Sequence, residues 1–372
     1  MARIGINTRF LIKGKLEGFG WYTFEICKRL AEKHPEHEFF FFFDRPYDQD
    51  FVFAANVTPI IIQPPARHPF LFMLWFDWML PLALKKNKID VFFSPDGYLS
   101  LRTDIPQIGT IHDINFEHFP ADLPVFARWY LRKYFPKFAR KASHLITVSE
   151  YSKQDIVATY HIPKEKISVA WNGVSESFCP LEIDEVGEIR TKYTDGKPYF
   201  LFVGSLHPRK NLKRLMTAFT DFKRSSNSDW NLVIVGEFMW KKDLDIETSD
   251  FSESIVFTGR LDQDELTKVM GAAGALAYVP YFEGFGIPLL EAMRSGIPIL
   301  SGNLTSLPEV AGAAALYCDP MSIADISSGL TTLAENESLR KELIEKGLQR
   351  VMLFSWDNSA EIVWKEISKL LD

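Results

Sequence analysis

The sequence predicts an α/β protein with two Rossmann-like domains, and three observations support this fold class. Short apolar runs alternate with amphipathic helical patterns along the chain, which is typical of parallel sheets. A polar stretch at residues 180–197 interrupts the alternation, which then begins again. A chain of 372 residues is also too long for one ordinary hydrophobic core. We therefore predict domains at residues 1–175 and 176–355, joined by a linker near 174–180.

The predicted strands divide into two series of six. The first series is Arg3–Ile6, Phe39–Phe43, Thr58–Ile62, Val91–Phe93, Gln107–Ile111 and His144–Val148. The second series is Tyr199–Val203, Asn231–Val235, Ser254–Phe257, Ala275–Val279, Pro298–Leu300 and Ala315–Tyr317. Amphipathic helices are predicted at Tyr22–Lys33 and Phe70–Lys86, and the apolar run of phenylalanines at 39–43 is predicted to be a buried parallel strand.

Composition excludes several other classes of protein. Hydrophobic residues make up 47% and charged residues 24% of the chain, without the signature of a disordered protein. The three cysteines are far apart and form no CxxC pair, so neither a zinc site nor a disulfide framework is indicated. The most lipid-like stretch, Phe70–Leu82, is shorter than the about 20 apolar residues that span a bilayer. We expect a cytoplasmic protein.

A dinucleotide-binding enzyme is the first alternative for this fold class. Its fingerprint is GxGxxG, in which the glycines allow a tight turn, a close approach of the backbone to the pyrophosphate and close packing of helix on strand. The stretches Gly18–Thr23 and Gly284–Leu289 each lack the third glycine. The sequence therefore argues against NAD binding.

The strongest chemical signal is the segment Tyr281–Met293, which follows the strand Ala275–Val279. Its two glycines, Gly284 and Gly286, allow a tight turn and a close approach to a ligand. Pro288 suits the first turn of a helix, and the amides of residues 285–287 would then bind an anion at the helix N-terminus. Glu283 and Glu291 lie on either side, where each carboxylate can accept bonds from paired sugar hydroxyls.

The segment resembles the Glu-x7-Glu signature of the retaining family 4 glycosyltransferases. Four other stretches match the same family in order, namely Gly204–Asn211, Ser306–Gly312, Trp171–Val174 and Phe354–Trp356. The resemblance implies the GT-B fold, with two Rossmann-like domains facing a central cleft. It also implies a nucleotide-sugar donor on the second domain, an acceptor on the first, and a C-terminal helix at 356–372 that completes the first domain. A hexose donor, with mannose as the first candidate, follows from the same resemblance.

Arg209 and Lys210 are the predicted partners of the leaving diphosphate. They follow a strand and a glycine, and Asn211 is predicted to cap the helix that begins at Leu212. Arginine offers a fork to two phosphate oxygens and lysine a point charge, so the pair can neutralise the leaving group.

In the first domain, His112 lies at the end of a strand, where open α/β sheets bind ligands. By resemblance, His112 lies near the donor sugar and the acceptor. We predict that Gly18 and Gly20 lie in a loop before the helix Tyr22–Lys33. The resemblance places Gly18 near the diphosphate and Gly20, Trp21 and Tyr22 on the acceptor side.

The predicted site therefore has a catalytic group and a donor-binding group, beside the acceptor-side residues Gly20, Trp21 and Tyr22. The catalytic group is His112, Glu283, Arg209 and Lys210. The donor-binding group is Gly18, Gly204, Arg209, Lys210, Arg260, Glu283, Gly284, Phe285, Gly286, Ile287 and Glu291. Arg260 follows the strand Ser254–Phe257 and, by resemblance, presents its backbone to the nucleobase.

We expect neither a metal nor a resident cofactor. Metal-dependent transferases commonly use Asp-x-Asp, and Asp243–Asp245 and Asp262–Asp264 have that spacing. Both are interpreted as polar loop or helix-initiating acids. No carboxylate nucleophile is evident on the first domain, which favours front-face substitution over the double displacement of retaining glycosidases.

Two other functions remain open at this point. One is a nucleotide-sugar epimerase or hydrolase, which needs no acceptor. The other is a non-catalytic subunit that binds a nucleotide sugar. The presence of His112, Arg209, Lys210, Glu283 and Glu291 together weighs against the second.

Charge is unevenly distributed along the chain. Residues 1–175 contain 22 Lys and Arg against 18 Asp and Glu, whereas the remainder contains 20 against 30. Residues 128–141 carry six basic side chains and no acid, with Leu131, Tyr134, Phe135 and Phe138 on one helical face. Pro136 is expected to kink or divide this segment. One interpretation is a core-facing helix with a solvated basic face, and the other is peripheral contact of Arg128–Lys141 with the inner face of an anionic membrane.

Overall fold

The computed structural model describes residues 1–66, 68–237 and 251–371, so that the acids Asp243 and Asp245 lie outside the described residues. The chain divides into two compact units. The first unit is Met1–Asn172 with Ser355–Asp372, and the second is Gly173–Phe354. The sequence analysis places the boundary after residue 175, a few residues later than the structure does.

The first unit is built on a seven-stranded parallel sheet in the order β3-β2-β1-β4-β5-β6-β7. Its strands are β1 Arg3–Asn7, β2 Glu38–Phe43, β3 Val57–Ile61, β4 Val91–Ser94, β5 Gln107–Thr110, β6 His144–Thr147 and β7 Ile167–Val169. The phenylalanines of β2 are buried and the strand pairs in parallel with β1 and β3, as predicted for a buried parallel strand. The sequence analysis missed β7, because three residues are too few to show a pattern.

Besides the last helix of the chain, the described residues of this unit form six α-helices. They are α1 Gly18–Lys33, α2 Pro69–Leu74, α3 Leu80–Lys86, α4 Asn115–His118, α5 Val125–Lys141 and α6 Glu150–Tyr160. A π-helical turn, Trp75–Met79, joins α2 to α3. Tyr134, Phe135 and Phe138 are buried on α5, as predicted, whereas the predicted Leu131 is half-buried and Tyr130, which was not predicted, is buried. Pro136 lies inside α5 and does not divide it.

The second unit has a six-stranded parallel sheet in the order β10-β9-β8-β11-β12-β13. Its strands are β8 Tyr199–Val203, β9 Asn231–Val235, β10 Ile255–Gly259, β11 Ala275–Tyr278, β12 Ile299–Gly302 and β13 Leu316–Cys318. Its helices are α7 Ile183–Thr194, α8 Leu212–Ser226, α9 Gln263–Gly271, α10 Ile287–Arg294, α11 Leu307–Ala311, α12 Ile323–Glu335 and α13 Glu337–Val351. All predicted strands are present, which confirms the fold class.

The last helix, α14 Trp356–Ser368, belongs to the first unit. Its Asp357 forms an ion pair with Lys33 at the end of α1, with Oδ1 2.6 Å from Nζ. The Trp364 ring stacks on His34 with the ring centroids 3.6 Å apart. Among the described residues, no helix is long and apolar enough to cross a membrane.

Candidate active site

The strand order reverses at one point in each sheet, and the second sheet carries the predicted donor residues at that point. β8 and β11 are neighbours although they are far apart in the chain. The loop after β8 contains Gly204 and the short helix Pro208–Lys210, and the loop after β11 contains Glu283. Open α/β sheets bind ligands at this kind of position, outside the carboxyl ends of the strands.

The geometry brings Glu283, Arg209 and Lys210 together. The Glu283 Oε2 atom lies 2.8 Å from Arg209 Nη1, and its Oε1 atom lies 2.6 Å from Lys210 Nζ. Arg209 Nη1 also donates to the Phe282 carbonyl oxygen at 3.1 Å. Both carboxylate oxygens of Glu283 are thus engaged by the two cations that the sequence assigns to a diphosphate.

These charges are held away from water, which sets the protonation state of Glu283. The Glu283 residue is only 5% exposed. Burial alone would raise the pKa of Glu283, but the adjacent Arg209 and Lys210 overcome this effect and hold it at about 2. The Glu283 carboxylate therefore stays ionised at neutral pH, between the side chains of Arg209 and Lys210.

Tyr278 is a member of this cluster that the sequence analysis missed. Its phenol is fully buried at the end of β11, where its hydroxyl accepts from Lys210 Nζ at 2.8 Å and donates to Glu283 Oε1 at 3.0 Å. Burial, together with the charge of Glu283, raises the pKa of Tyr278 well above 10. A tyrosine inside an apolar strand gives no sign in the sequence that its hydroxyl faces charged groups.

The Glu283 loop is fixed by two residues of the next loop. Thr305 Oγ1 accepts from the Glu283 amide at 3.2 Å, and Ser306 Oγ donates to the carbonyl oxygens of Glu283 and Phe285 at 3.0 and 3.1 Å. Gly286 precedes α10 with φ 102°, a backbone conformation that side chains disfavour. The turn thus presents the N-terminus of an eight-residue helix, as the sequence predicts.

Glu291 lies on α10, about one turn from that N-terminus. Burial raises the pKa of Glu291 to about 7, although the charge of Lys210 acts in the opposite direction. The electrostatic effect of Lys210 shows that Glu291 lies near the cluster. Its carboxyl group is therefore close to half ionised at neutral pH in the empty protein.

The predicted cap residue Asn211 has a different role from the expected one. The α8 helix does begin at Leu212, but the Asn211 side chain makes no capping bond. Instead, its Nδ2 atom donates to the carbonyl oxygens of Val279 and Pro320, at 2.9 and 2.6 Å. Asn211 lies in the left-handed region, at φ 64°, which turns its amide towards the end of β11. The prediction of a cap was wrong, and the residue ties the Arg209 loop to the sheet.

The ends of β8, β9 and β10 are joined through glycines. The Gly204 amide donates to Val235, and the Gly236 amide donates to Gly259, each at 3.0 Å. A Cβ atom on Gly236 would lie 1.9 Å from the Gly204 carbonyl oxygen, so only glycine fits there. Gly236 was not predicted, although its position at the end of a strand parallels that of Gly204. The half-buried Arg260 directly follows β10.

The remaining predicted donor residues lie around the α10 N-terminus. Gly284, Phe285 and Gly286 are buried, and Ile287 is half-buried at the start of the helix. The Phe285 ring packs edge-on against Phe354, with centroids 5.8 Å apart. Phe285 thus anchors the loop in the core of the unit, so that its backbone rather than its side chain is available for a ligand.

In the first unit, His112 follows β5 and packs against two aromatic rings. The His112 ring meets Phe19 and Tyr22 edge-on, with centroids 4.7 and 4.6 Å away. Its Nε2 atom lies 2.8 Å from the Pro95 carbonyl oxygen, which can only accept, so Nε2 carries the proton. Burial lowers the pKa of His112. The ring is therefore neutral at pH 7, and its Nδ1 atom keeps a lone pair that can accept a hydrogen bond.

The neighbouring helix starts earlier than predicted. Gly18 and Gly20 belong to the first turn of α1 rather than to a loop, because the helix begins at Gly18. Tyr22 is fully buried, and its hydroxyl is bonded to Thr110 Oγ1 at 3.1 Å. Tyr22 therefore supports His112 from the core instead of lining a surface. Trp21 is half-buried and packs edge-on against Phe24.

The acids with Asp-x-Asp spacing that the structure describes have a structural role. Asp262 caps α9, where its Oδ1 atom accepts from the Glu265 amide at 2.8 Å, and Asp264 lies in the first helical turn. This agrees with their interpretation as helix-initiating acids. Within residues 1–66, 68–237 and 251–371, no cluster of three or more His, Cys, Asp or Glu side chains is suited to hold a metal ion.

These features define a two-unit α/β protein with a buried cluster of Arg209, Lys210 and Glu283 at the switch point of its second sheet. Two family models match the chain, and together they cover most of it. Residues 16–178 match Glycosyltransferase Family 4, and residues 188–350 match Glycosyl transferases group 1. The chain belongs to the family 4 glycosyltransferases of the GT-B type.

Individual relatives agree with this assignment. The O-antigen chain mannosyltransferase B of Escherichia coli is 27% identical over 93% of this chain and 94% of its own length. The O-antigen chain mannosyltransferase RfbU of Salmonella typhimurium is 28% identical over 87% of this chain and 88% of its own. These similarities support a glycosyltransferase of glycan biosynthesis.

Solved structures share the fold at low sequence identity. A sucrose-phosphate synthase from Thermosynechococcus elongatus superposes with a TM-score of 0.81 at 15% identity, covering 100% of this chain and 99% of the other. The Anabaena protein Alr3699/HepE, solved with UDP and glucose, has a TM-score of 0.74 at 15% identity and covers 99% and 100%. At this identity the comparison establishes the fold and nothing finer.

Proposed function

We propose that this protein is a retaining, metal-independent glycosyltransferase. It transfers a hexose, with mannose as the first candidate, from a nucleotide diphosphate sugar to a saccharide or lipid-linked saccharide during polysaccharide biosynthesis. The observation that carries the proposal is the buried cluster of Glu283, Arg209 and Lys210 at the switch point of the second sheet.

The cluster fits the chemistry of a leaving diphosphate. When the donor binds, its phosphate oxygens take up bonds from Arg209 and Lys210, which are held in place beforehand by Glu283. Fixed cations stabilise the charge that develops as the bond between the anomeric carbon and the phosphate oxygen breaks. The amides at the α10 N-terminus add a second anion-binding element. The released Glu283 carboxylate can then accept bonds from sugar hydroxyls.

Glu291 is the proposed partner of the ribose, because a carboxylate accepts bonds from two adjacent hydroxyls. His112 is proposed to bind a hydroxyl of the donor sugar or the acceptor through its Nδ1 lone pair. Gly18 is proposed to approach the diphosphate through the first turn of α1, and Arg260 to present its backbone to the nucleobase.

The proposed route is front-face substitution. The acceptor oxygen bonds to the anomeric carbon on the side from which the diphosphate leaves, and the acceptor proton passes to the leaving phosphate oxygen. Configuration at the anomeric carbon is retained without a covalent enzyme intermediate. This route needs no carboxylate nucleophile, and the sequence offers no clear one in residues 1–175.

Mannose is the first candidate because the two O-antigen relatives are both named mannosyltransferases. Purified protein should be incubated with GDP-, UDP- and ADP-hexoses and with saccharide and lipid-linked saccharide acceptors. NMR of the product then compares its anomeric configuration with that of the donor. We expect transfer from GDP-mannose with the donor's configuration kept. A product of inverted configuration would contradict the retaining mechanism.

The same reactions separate the two alternative functions. An epimerase or hydrolase would consume the donor equally well without acceptor. A non-catalytic subunit would bind the donor without consuming it. We propose that neither a metal nor a resident cofactor is used, so activity should survive excess EDTA, and strict dependence on added Mg²⁺ or Mn²⁺ would contradict this part of the proposal.

A further inference from the structure

We propose that the outer face of residues 70–82, together with α5, docks on anionic lipid head groups. We call this the ridge surface, and its apolar members are Phe70, Leu74, Trp78, Leu82, Val125, Phe126 and Trp129. Its relevance to a lipid-linked acceptor rests on the proposed function, whereas the attachment itself does not. The surface extends the contact that the sequence predicts at Arg128–Lys141 by the outer face of the lipid-like stretch Phe70–Leu82.

The first observation is a line of exposed apolar side chains along α2, the π-helical turn and α3. Phe70, Trp78 and Leu82 are 61%, 54% and 64% exposed, and Leu74 lies between them. The four residues are spaced by four positions. In the π-helical turn Trp75–Met79, the Leu80 amide donates to the Trp75 carbonyl oxygen, so this turn contains more residues than a turn of α-helix. Side chains four positions apart are therefore more nearly aligned here than in a regular α-helix.

The opposite face of the same segment is already packed. Trp75, Phe76, Leu80 and Leu84 are fully buried, and the Trp75 indole donates to the Ile62 carbonyl oxygen at 3.1 Å. The hydrophobic core therefore does not need the exposed line. A row of four large, exposed apolar side chains on a folded unit indicates an interaction surface.

The N-terminal half of α5 continues the surface. Phe126 is 62% exposed and its ring lies 6.4 Å from the His68 ring that precedes α2. The two segments are held together by the Tyr134 hydroxyl, which donates to Met73 Sδ at 3.4 Å, and by Phe72 packing on Tyr130. The exposed rings Phe70 and Phe126 therefore lie on two helices, α2 and α5, that pack against each other.

Basic groups border the apolar line. The Arg102 guanidinium lies 3.9 Å from the centre of the exposed Trp78 ring. Lys133 and Lys137 are exposed on α5, which contains no acid, and Lys85 and Lys86 are exposed at the end of α3. Glu117, which lies beside Trp129, forms an ion pair with Arg132 at 2.9 Å, and the half-buried Asp77 accepts from the Leu101 amide at 2.9 Å. Burial raises the pKa of Asp77, although the bond from the Leu101 amide and the charges of Arg102 and Lys137 act in the opposite direction.

This combination fits a lipid surface better than a second copy of the chain. Aromatic and aliphatic side chains enter the boundary between head groups and acyl chains, while lysines and arginines meet the phosphates. A second copy would bring the same basic groups face to face, and the like charges would repel. Charge complementarity therefore selects an anionic partner, and the apolar line selects one with an apolar interior.

Co-sedimentation of the full-length protein with vesicles tests the proposal. Vesicles of phosphatidylglycerol with phosphatidylcholine are compared with pure phosphatidylcholine, at low salt and at about 1 M salt, where charge is almost fully screened. We expect binding to the anionic vesicles that salt weakens. Bromine-labelled lipids should quench tryptophan fluorescence in the wild type, and the Trp78→Ser variant should lose part of this quenching.

Two sets of variants separate the apolar and basic contributions. The variant Phe70→Ser/Trp78→Ser/Leu82→Ser should lower vesicle binding at least about tenfold at either salt concentration. Its control is Met352→Ser/Leu353→Ser, which removes exposed apolar side chains in the other unit. The variant Lys133→Glu/Lys137→Glu should lower binding about tenfold at low salt only. Its control, Lys164→Glu/Lys268→Glu, changes exposed lysines elsewhere and should bind like the wild type.

Three outcomes would overturn the proposal. They are wild-type protein without preference for anionic vesicles, ridge variants that bind as their controls do, and self-association that the ridge variants abolish while vesicle binding is absent. Thermal unfolding checks that each variant folds, and if the apolar variant does not fold, the lysine variant decides. Nucleotide binding and transfer to a soluble saccharide should be unchanged in the ridge variants, so failure of the membrane proposal is distinguishable from failure of the proposed function.

Discussion

The predicted site residues of the two units differ in charge and in the side chains that surround them. In the second unit, Arg209, Lys210 and Glu283 form a buried cluster of charges held by Tyr278. In the first unit, His112 is a neutral ring packed between Phe19 and Tyr22. One unit is arranged for a fixed anion of high charge, and the other presents a hydrogen-bond acceptor beside aromatic rings.

Under the proposed function, the second unit determines the reaction chemistry and the first unit determines the choice of acceptor. A diphosphate has the same charge in every donor, and a buried ion cluster requires a fixed set of residue types to remain compensated. A hydroxyl acceptor needs shape and a few neutral hydrogen bonds, which many side chains can provide. Substitutions in the second unit should therefore have large effects on transfer with every acceptor, whereas those near His112 should depend on the acceptor.

The largest effect is expected for Glu283→Gln. This change removes a buried charge that compensates both Arg209 and Lys210, and it should lower transfer about 100- to 1,000-fold. It should also reduce the free energy of unfolding by about 3 kcal/mol, because two buried cations lose their partner. Affinity for the bare nucleoside diphosphate should be kept or increased, since the cations are released. Initial rates, urea unfolding and calorimetry measure the three quantities.

The control for this variant is Glu253→Gln, which changes an exposed acid of the same unit. A parallel loss of nucleoside diphosphate binding and transfer in Glu283→Gln would contradict the proposed exchange of partners. Wild-type stability below pH 4.5 gives an independent check. The pKa of Glu283 is lowered to about 2, so its contribution to stability is complete above pH 4.5 and is lost as the pH falls towards 2.

A smaller effect is expected for Arg209→Ala. Loss of one charge-assisted bond to the leaving group costs roughly 1.5–3 kcal/mol, which corresponds to about a 10- to 150-fold drop in turnover. Nucleoside binding should weaken less than turnover. The variant Arg209→Lys keeps the charge and loses the fork, so it should recover part of the activity. Wild-type turnover in a folded Arg209→Ala protein would remove this residue from the mechanism.

Much of the fold was predictable because it depends on patterns along the chain. Buried parallel strands such as Phe39–Phe43 and Tyr199–Val203 are continuous apolar runs, and these runs also indicated the two sheets. The strand β7 has only the residues Ile-Ser-Val and is too short to show such a pattern. The start of α1 was wrong because two glycines within a helical turn have the same composition as a loop.

For the site, the sequence identified charged residues but not the bonds between them. Glu283, Arg209 and Lys210 were predicted individually, yet their contact joins loops more than seventy residues apart. Tyr278 and Ser306 were missed because hydroxyl groups within apolar or turn segments have no pattern of their own. The side-chain bonds of Asn211 differ from the prediction for the same reason, since their partners Val279 and Pro320 are backbone carbonyl groups of distant loops.

The third prediction has a smaller expected effect. It tests whether the Tyr278 hydroxyl positions Lys210 and Glu283 or whether Tyr278 only packs in the core of the second unit. Tyr278→Phe removes the hydroxyl that accepts from Lys210 and donates to Glu283, and transfer should fall about 5- to 20-fold. The loss is smaller than for Arg209→Ala because Lys210 still contacts Glu283 directly. Tyr199→Phe is the matched control, because this buried tyrosine of β8 donates to the Val269 carbonyl oxygen instead. Both variants should lose similar stability. The positioning role predicts that only Tyr278→Phe lowers the maximal rate, and equal rates in the two variants would contradict it.

The smallest expected effect concerns the pH dependence of nucleotide binding through Glu291. Burial raises the pKa of Glu291 to about 7 in the empty protein, so its carboxyl group is mostly protonated at pH 6 and mostly ionised at pH 8. Two ribose hydroxyls donate better to the ionised form. Affinity for a nucleoside diphosphate should therefore rise several-fold, up to about tenfold, from pH 6 to pH 8.

Binding should also release protons near pH 7, and calorimetry in buffers of different ionisation enthalpy measures this release directly. A rise in pH has the opposite effect on the stability of the protein without nucleotide, because it lowers the free energy of unfolding. A carboxyl group whose pKa is raised on folding destabilises the folded state once the unfolded chain ionises, so the penalty grows from about pH 4.5 to pH 7 and is complete above that. Glu291→Gln should remove both the pH dependence of binding and the proton release. Wild-type pH dependence that persists in Glu291→Gln would assign it to another group and leave Glu291 without its proposed ribose partner.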